Sequence, residues 1–123
     1  MLSNIYLVCA GGFLGAISRY LLGKYVGMFW KGHFPLGTFI INTCGSFLLG
    51  MLVFHPHLSR TLGSDLSIGL GVGFLGSFTT FSTFEYETLE LLEKRKMLTA
   101  LAYVFLSFAT GICAAGLARL LYV

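Results

Sequence analysis

Four stretches of the chain stay apolar for long enough to cross a lipid bilayer, and that pattern excludes most other ways of folding it. A spanning helix needs about 20 predominantly apolar residues to match a hydrocarbon layer roughly 30 Å thick. Such stretches fall at about residues 4–23, 36–54, from near 66 onward, and 98–121. In a chain of 123 residues they leave only the short connections 24–35, 55–65 and 94–96. The expected fold is therefore an all-α membrane protein, one four-helix transmembrane domain covering residues 1–123. A soluble domain of this size is excluded, because 56% of the residues are hydrophobic and only 11% charged, too few to cover a wetted surface.

The same pattern disposes of several function classes. The net charge of +3 comes from basic residues near span ends, where they suit lipid headgroups. They form no stripe interleaved with aromatics, so no nucleic acid partner is expected. Trp30, Lys31 and His33 suit a loop at the membrane interface. Cys9, Cys44 and Cys113 fall in three separate spans without metal-ligand spacing and read as small packing residues. Residues 1–4 carry no basic side chain and the apolar run continues through the first span, so no cleavable leader is expected. Residues 71–76 match a G-x-G-x-x-G pattern, but inside a span and outside any βαβ unit. His55 and His57 lack carboxylate or thiol support for a metal. No histidine lies within a span and the acids cluster towards one helix end, so the chain does not read as an enzyme.

Polar groups inside the membrane need a purpose, because burying one unpartnered costs several kcal/mol. Thr38, one turn earlier on the same face, is a candidate for an ion path together with Asn42, which lies mid-span. The Asn42 amide either joins helices, the reading its chemistry favours, or offers an N–H to a passing anion. The segment Gly76-Ser77-Phe78-Thr79-Thr80-Phe81-Ser82-Thr83-Phe84 suits an uninterrupted helix poorly, since Gly weakens helices and Ser and Thr compete for backbone hydrogen bonds. A break here frees carbonyls, which must then face protein, water or an ion, and which suit a small hard cation such as Na+. Phe81 and Phe84, three apart, share a helix face. They serve packing, or their positive ring edges beside the Ser82 and Thr83 hydroxyls receive a small anion. Tyr103, Ser107 and Thr110 form a polar stripe on the fourth span that suits helix contacts and a pore lining alike. Arg19 either snorkels to the interface or draws anions into a vestibule. The pairs Gly11/Gly15 and Gly69/Gly73 fit close helix approach, within one bundle or between subunits.

Three motifs, each in its own span, carry a resemblance to the Fluc (CrcB) fluoride channels. They are Gly11-Gly12 to Gly15-Ala16 with Arg19-Tyr20, then Gly37-Thr38 with Asn42 and Gly45, then Gly73-Phe74-Leu75-Gly76 running into residues 79–84. The resemblance covers essentially the whole chain. It implies a passive F− channel that relieves fluoride toxicity, built as an antiparallel, dual-topology homodimer with two pores in a microbial plasma membrane (the bacterial inner membrane). It further implies that Asn42, Phe81 and Phe84 line the pores together with Ser82, Thr83, Tyr103 and Ser107. Arg19 and Glu87 match positions near the vestibules. The carbonyls of Gly76 and Thr79 match those that hold a structural Na+ at the dimer axis.

Charge placement bears on that dimer. Arg60 and Arg119 fall on the amino-terminal side, and Lys24, Lys31, Lys94, Arg95 and Lys96 on the other. The positive-inside rule then favours one orientation with the amino terminus outside. A homodimer is the expected arrangement, and a heterodimer with an oppositely oriented paralogue is the alternative that this bias allows. A second class of function is a small proton-coupled exporter of cationic drugs, also a four-span dual-topology dimer. It requires a membrane-embedded carboxylate, and the first two spans hold no Asp or Glu. A non-conducting assembly subunit accounts for the glycines but not for the hydroxyl and phenylalanine pattern.

Overall fold

A computed structural model describes residues 2–121, all of them in helices or the turns between. Among the described residues, four helical stretches are long and apolar enough to cross a membrane: Asn4–Phe29, Leu36–Phe54, Ser64–Glu93 and Met97–Leu120. The protein is an all-helical, multi-pass membrane protein. Its large apolar side chains mostly face outward, as expected when the surrounding solvent is lipid.

Helix α1 (Leu2–Phe29) runs past the expected end of the first span, so residues 24–29 are helical and not loop. The cause is at its end. Lys31 Nζ donates to the Gly27 carbonyl at 2.7 Å, and Trp30 Nε1 donates to the Phe34 carbonyl at 2.7 Å. The first serves a carbonyl in the last turn of α1, and the second ties together the turn into α2 (Leu36–Phe54). Residues 55–65, expected as a loop, contain α3 (Pro56–Leu62), which starts on Pro56. Gly63, at φ +79°, turns the chain, and the third span begins at Ser64, slightly before its expected start.

The third span is four pieces. They are α4 (Ser64–Ile68), a π-helical stretch (Gly69–Leu75), α5 (Gly76–Phe78) and, after a break, α6 (Ser82–Glu93). The break expected in the hydroxyl-rich segment is present, and it is preceded by a π-helical stretch that the sequence does not signal. Helix α7 (Met97–Leu120) completes the bundle.

Small residues set the packing. A Cβ on Gly11 or Gly15 would overlap the facing backbone at Gly69 and Phe74, and one on Gly73 would lie 2.6 Å from the Val8 carbonyl oxygen. The Gly11/Gly15 and Gly69/Gly73 pairs therefore face each other inside one subunit, between α1 and the π-helical stretch. Helix α2 meets α7 where Gly50 faces Ala115 and Ala118. A compact core of Phe84, Leu91, Ala100 and Tyr103, covered by Phe34, Phe39 and Val104, fixes α6 against α7.

Candidate functional site

At Thr79 the backbone turns extended, with φ −75° and ψ 155°, and helix resumes only at Ser82. Every backbone group released there needs a partner, since lipid supplies none. Asn42 serves two of them. Its Nδ2 donates to the Thr80 carbonyl, and its Oδ1 accepts the Thr80 N–H, each at 2.9 Å. The Thr80 hydroxyl accepts the N–H of Thr83 at 3.2 Å, which caps α6. It also donates to the Thr83 hydroxyl at 3.0 Å, with the Ser82 hydroxyl 3.4 Å away.

This arrangement releases two carbonyls. In a continuous helix the Thr80 N–H would bond the Gly76 carbonyl, and the Thr83 N–H the Thr79 carbonyl. Asn42 and the Thr80 hydroxyl take those donors instead. The Thr79 N–H and hydroxyl both reach back to the Leu75 carbonyl, at 3.0 and 2.8 Å, and so supply neither. Backbone carbonyls fixed in this way have the donor chemistry a hard cation needs, so the residues present fit Na+.

Helix α2 is built to receive the break. Gly45 meets the Thr79 methyl group, where any larger side chain would collide. Ser46 donates to the Asn42 carbonyl at 2.9 Å. Thr38, Asn42, Gly45 and Ser46 follow helical spacing on one stripe of α2, of which Asn42 and Gly45 meet the broken segment at Thr79 and Thr80.

Two hollows adjoin Asn42. The larger, about 510 Å³, is lined by Asn42, Ser46, Phe81, Phe84, Ser107 and Phe108 with apolar neighbours. The smaller, about 320 Å³, includes Asn42, Gly45, Gly76, Thr79, Thr80 and Phe81. The Phe81 and Phe84 rings lie 5.8 Å apart, Phe81 64% exposed and Phe84 buried. Phe108 meets the Phe84 ring edge-on at 6.0 Å. The Ser107 hydroxyl is buried without a hydrogen-bond partner. Of the residues expected along an ion path, the structure thus brings Asn42, Phe81, Phe84 and Ser107 around one hollow.

The others lie elsewhere. Thr38 and Tyr103 both point at Glu87: Thr38 Oγ1 donates to Oε1 at 2.9 Å, and the fully buried Tyr103 hydroxyl donates to Oε2 at 2.7 Å. Each carboxylate oxygen therefore receives one charge-assisted hydrogen bond. Glu87 also borders a hollow of about 150 Å³ at the end of the bundle, with His33, Glu90, Lys94 and Lys96. Ser82 and Thr83 belong to the hydroxyl cluster around Thr80 and line neither larger hollow. Thr110 donates to the Leu106 carbonyl at 2.7 Å and lies 3.2 Å from the Thr43 hydroxyl, tying α7 to α2. Arg19 is half-buried on α1. Ser46 and Thr80 join the site although their sequence signals are slight. Ser46 stands one turn after Asn42, and Thr80 stands inside the hydroxyl run.

Residues 6–119 match the family described as CrcB-like protein, camphor resistance (CrcB). The chain belongs to the CrcB family. Among CrcB relatives, the "Fluoride-specific ion channel FluC" of Oceanobacillus iheyensis is 48% identical over 109 residues, spanning 89% of this chain and 83% of the relative. "Fluoride-specific ion channel FluC 1" of Moorella thermoacetica is 45% identical over 109 residues, 88% of this chain and 78% of that one. The protein of the same name from Listeria innocua is 45% identical over 115 residues, 94% of this chain and 93% of the relative. The match covers all four spans of this CrcB chain, the broken third one included.

Proposed function

We propose that this CrcB-family chain is a fluoride channel that lets F− leave a microbial cell passively across its plasma membrane. The observation that carries the reading is the hollow at the broken third span, where Asn42, Ser107, Phe81 and Phe84 converge among membrane-spanning helices. Fluoride is small and strongly hydrated, so a selective pore must exchange its water for fixed donors without holding it too tightly to release. The Ser107 hydroxyl is unpartnered. The Asn42 amide carries two N–H groups, and the Thr80 carbonyl takes only one. Positive ring edges of Phe81 and Phe84 add attraction for an anion but not for a cation. The relatives' shared name supports fluoride as the ion and gives the drug-exporter reading no support.

The working unit is an antiparallel, dual-topology homodimer with two pores. The Asn42 and Ser107 groove is open on one side in a single subunit, and polar atoms at membrane depth are tolerated only against protein or a water-lined path. A second, inverted copy supplies that cover. The Gly76 and Thr79 carbonyls of the two subunits would hold the Na+, whose charge would tie the two breaks together. Ser82, Thr83 and Thr110 continue the polar path, and Arg19 concentrates anions at a vestibule. Thr38 and Tyr103, whose hydroxyls serve a carboxylate oxygen, can serve F− in the same way when Glu87 turns aside. Flux is uncoupled from protons. In proteoliposomes with equal F− on both sides, an imposed pH gradient drives no net fluoride movement beyond the HF leak of protein-free liposomes once membrane voltage is clamped. Accumulation of F− on the acid side would identify an antiporter instead.

A further inference from the structure

The Asn42 amide stands between the two hollows and is bonded to the backbone at both of its heavy atoms. From this we infer that Asn42 is the positioning residue for the cation site: by holding the Thr80 peptide, it keeps the Gly76 and Thr79 carbonyls free and aimed. The inference rests on the Na+ reading above and adds which side chain makes that site.

Hydrogen-bond competition sets which oxygens are free. The Thr80 N–H has two available acceptors, the Gly76 carbonyl of a regular helix and Asn42 Oδ1. Taking the second leaves the Gly76 carbonyl without its helical donor. The Thr80 carbonyl is likewise tied up by Asn42 Nδ2, so it is not among the free oxygens. A cation is therefore offered Gly76 and Thr79 and not Thr80. Beside the amide on α2, Gly45 lets the Thr79 side chain come into contact. Without the amide, the Thr80 N–H can return to the Gly76 carbonyl and close the helix, which removes a cation ligand. The same amide also lines the larger hollow, so cation occupancy and the anion-facing N–H of Asn42 are mechanically joined.

The test is Na+ binding by titration calorimetry on the purified dimer, with the wild type, Asn42→Leu and Asn42→Asp compared at acid pH. Leucine keeps the bulk and removes both hydrogen bonds. The introduced carboxyl is protonated at acid pH and restores one donor and one acceptor in the amide's pattern. We expect Na+ affinity to fall on the order of tenfold or more in Asn42→Leu, and to recover in Asn42→Asp. Equal affinity in the wild type and Asn42→Leu would overturn the role of Asn42 while leaving the cation site standing. Absence of Na+ binding by the wild type would overturn the cation site, and this role with it. If Asn42→Leu does not assemble, hydrogen exchange in the wild type decides. Na+ should slow exchange of the Thr80 amide proton, and exchange indifferent to Na+ would overturn the inference.

Discussion

The chemistry of this protein is concentrated in a few side chains whose polar atoms are assigned with little to spare. Asn42 gives both amide atoms to Thr80, Thr80 gives its hydroxyl to Thr83, and Glu87 takes one hydroxyl at each oxygen. Against that background Ser107, with no partner, the second N–H of Asn42, and the Phe81 and Phe84 rings are the groups left to meet an ion. Replacing Phe81 or Phe84 with Ile roughly keeps bulk and removes the ring edge. A ring-edge contact of order 1 kcal/mol corresponds to about fivefold in rate, so fluoride efflux should slow by roughly fivefold or more with the dimer still assembled on gel filtration. Unchanged efflux would reduce these rings to packing. At this scale the identity of the polar residues is legible in the sequence, because a polar group in a span stands out. Their partners are not. Asn42 and Thr80 are 38 positions apart, and nothing in either local pattern announces the pairing. Thr38 and Tyr103 resemble pore lining for the same reason, since spacing shows a shared face but not what faces it.

At the scale of elements, the decisive feature is the contrast between the close crossing of α1 and the broken third span. The crossing is backbone against backbone through Gly11, Gly15, Gly69 and Gly73, so it tolerates no side chain. Gly15→Ala should destabilise by about 1–3 kcal/mol or more, as overpacking does. Gly27 has no atom within 4 Å of an added Cβ. Gly27→Ala should be neutral or stabilising by about 0.5–1 kcal/mol through helix propensity. Thermal unfolding in detergent measures both, and similar losses at the two positions would contradict this packing. The break itself is readable from the Gly, Ser and Thr run, because those residues weaken a helix by known means. The π-helical stretch is not, since hydrogen-bond register within a Gly-rich helix depends on the helix packed against it. Residues 24–29 depart from expectation for another reason. Lys24 beside apolar residues resembles an interface loop, whereas the chain extends α1 and lets Lys31 serve the Gly27 carbonyl at its end.

At the scale of the molecule, the proposed dimer makes the four spans of one chain half of a working channel. The groove holding Asn42 and Ser107 needs a cover at membrane depth, and in the proposed dimer an inverted copy of the same chain provides it. The charge bias puts that dimer to the test, because five of the seven basic residues outside Arg19 lie at the end that carries the 94–96 turn. With the native cysteines replaced and a single cysteine placed in that turn, an impermeant thiol reagent should label about half of the chains from each side, as dual topology requires. Labelling from one side only would require an oppositely oriented paralogue as the partner. The four spans are plain from hydropathy alone, whereas subunit pairing depends on a face that no single-chain pattern identifies. Conduction of fluoride underlies every role assigned above, and it is measured most directly as anion efflux from liposomes containing the purified protein, with fluoride and chloride run side by side. Rapid release of fluoride without release of chloride is the expected result. Equal release of both ions, or no fluoride release from protein shown to be folded and dimeric, would contradict a fluoride channel.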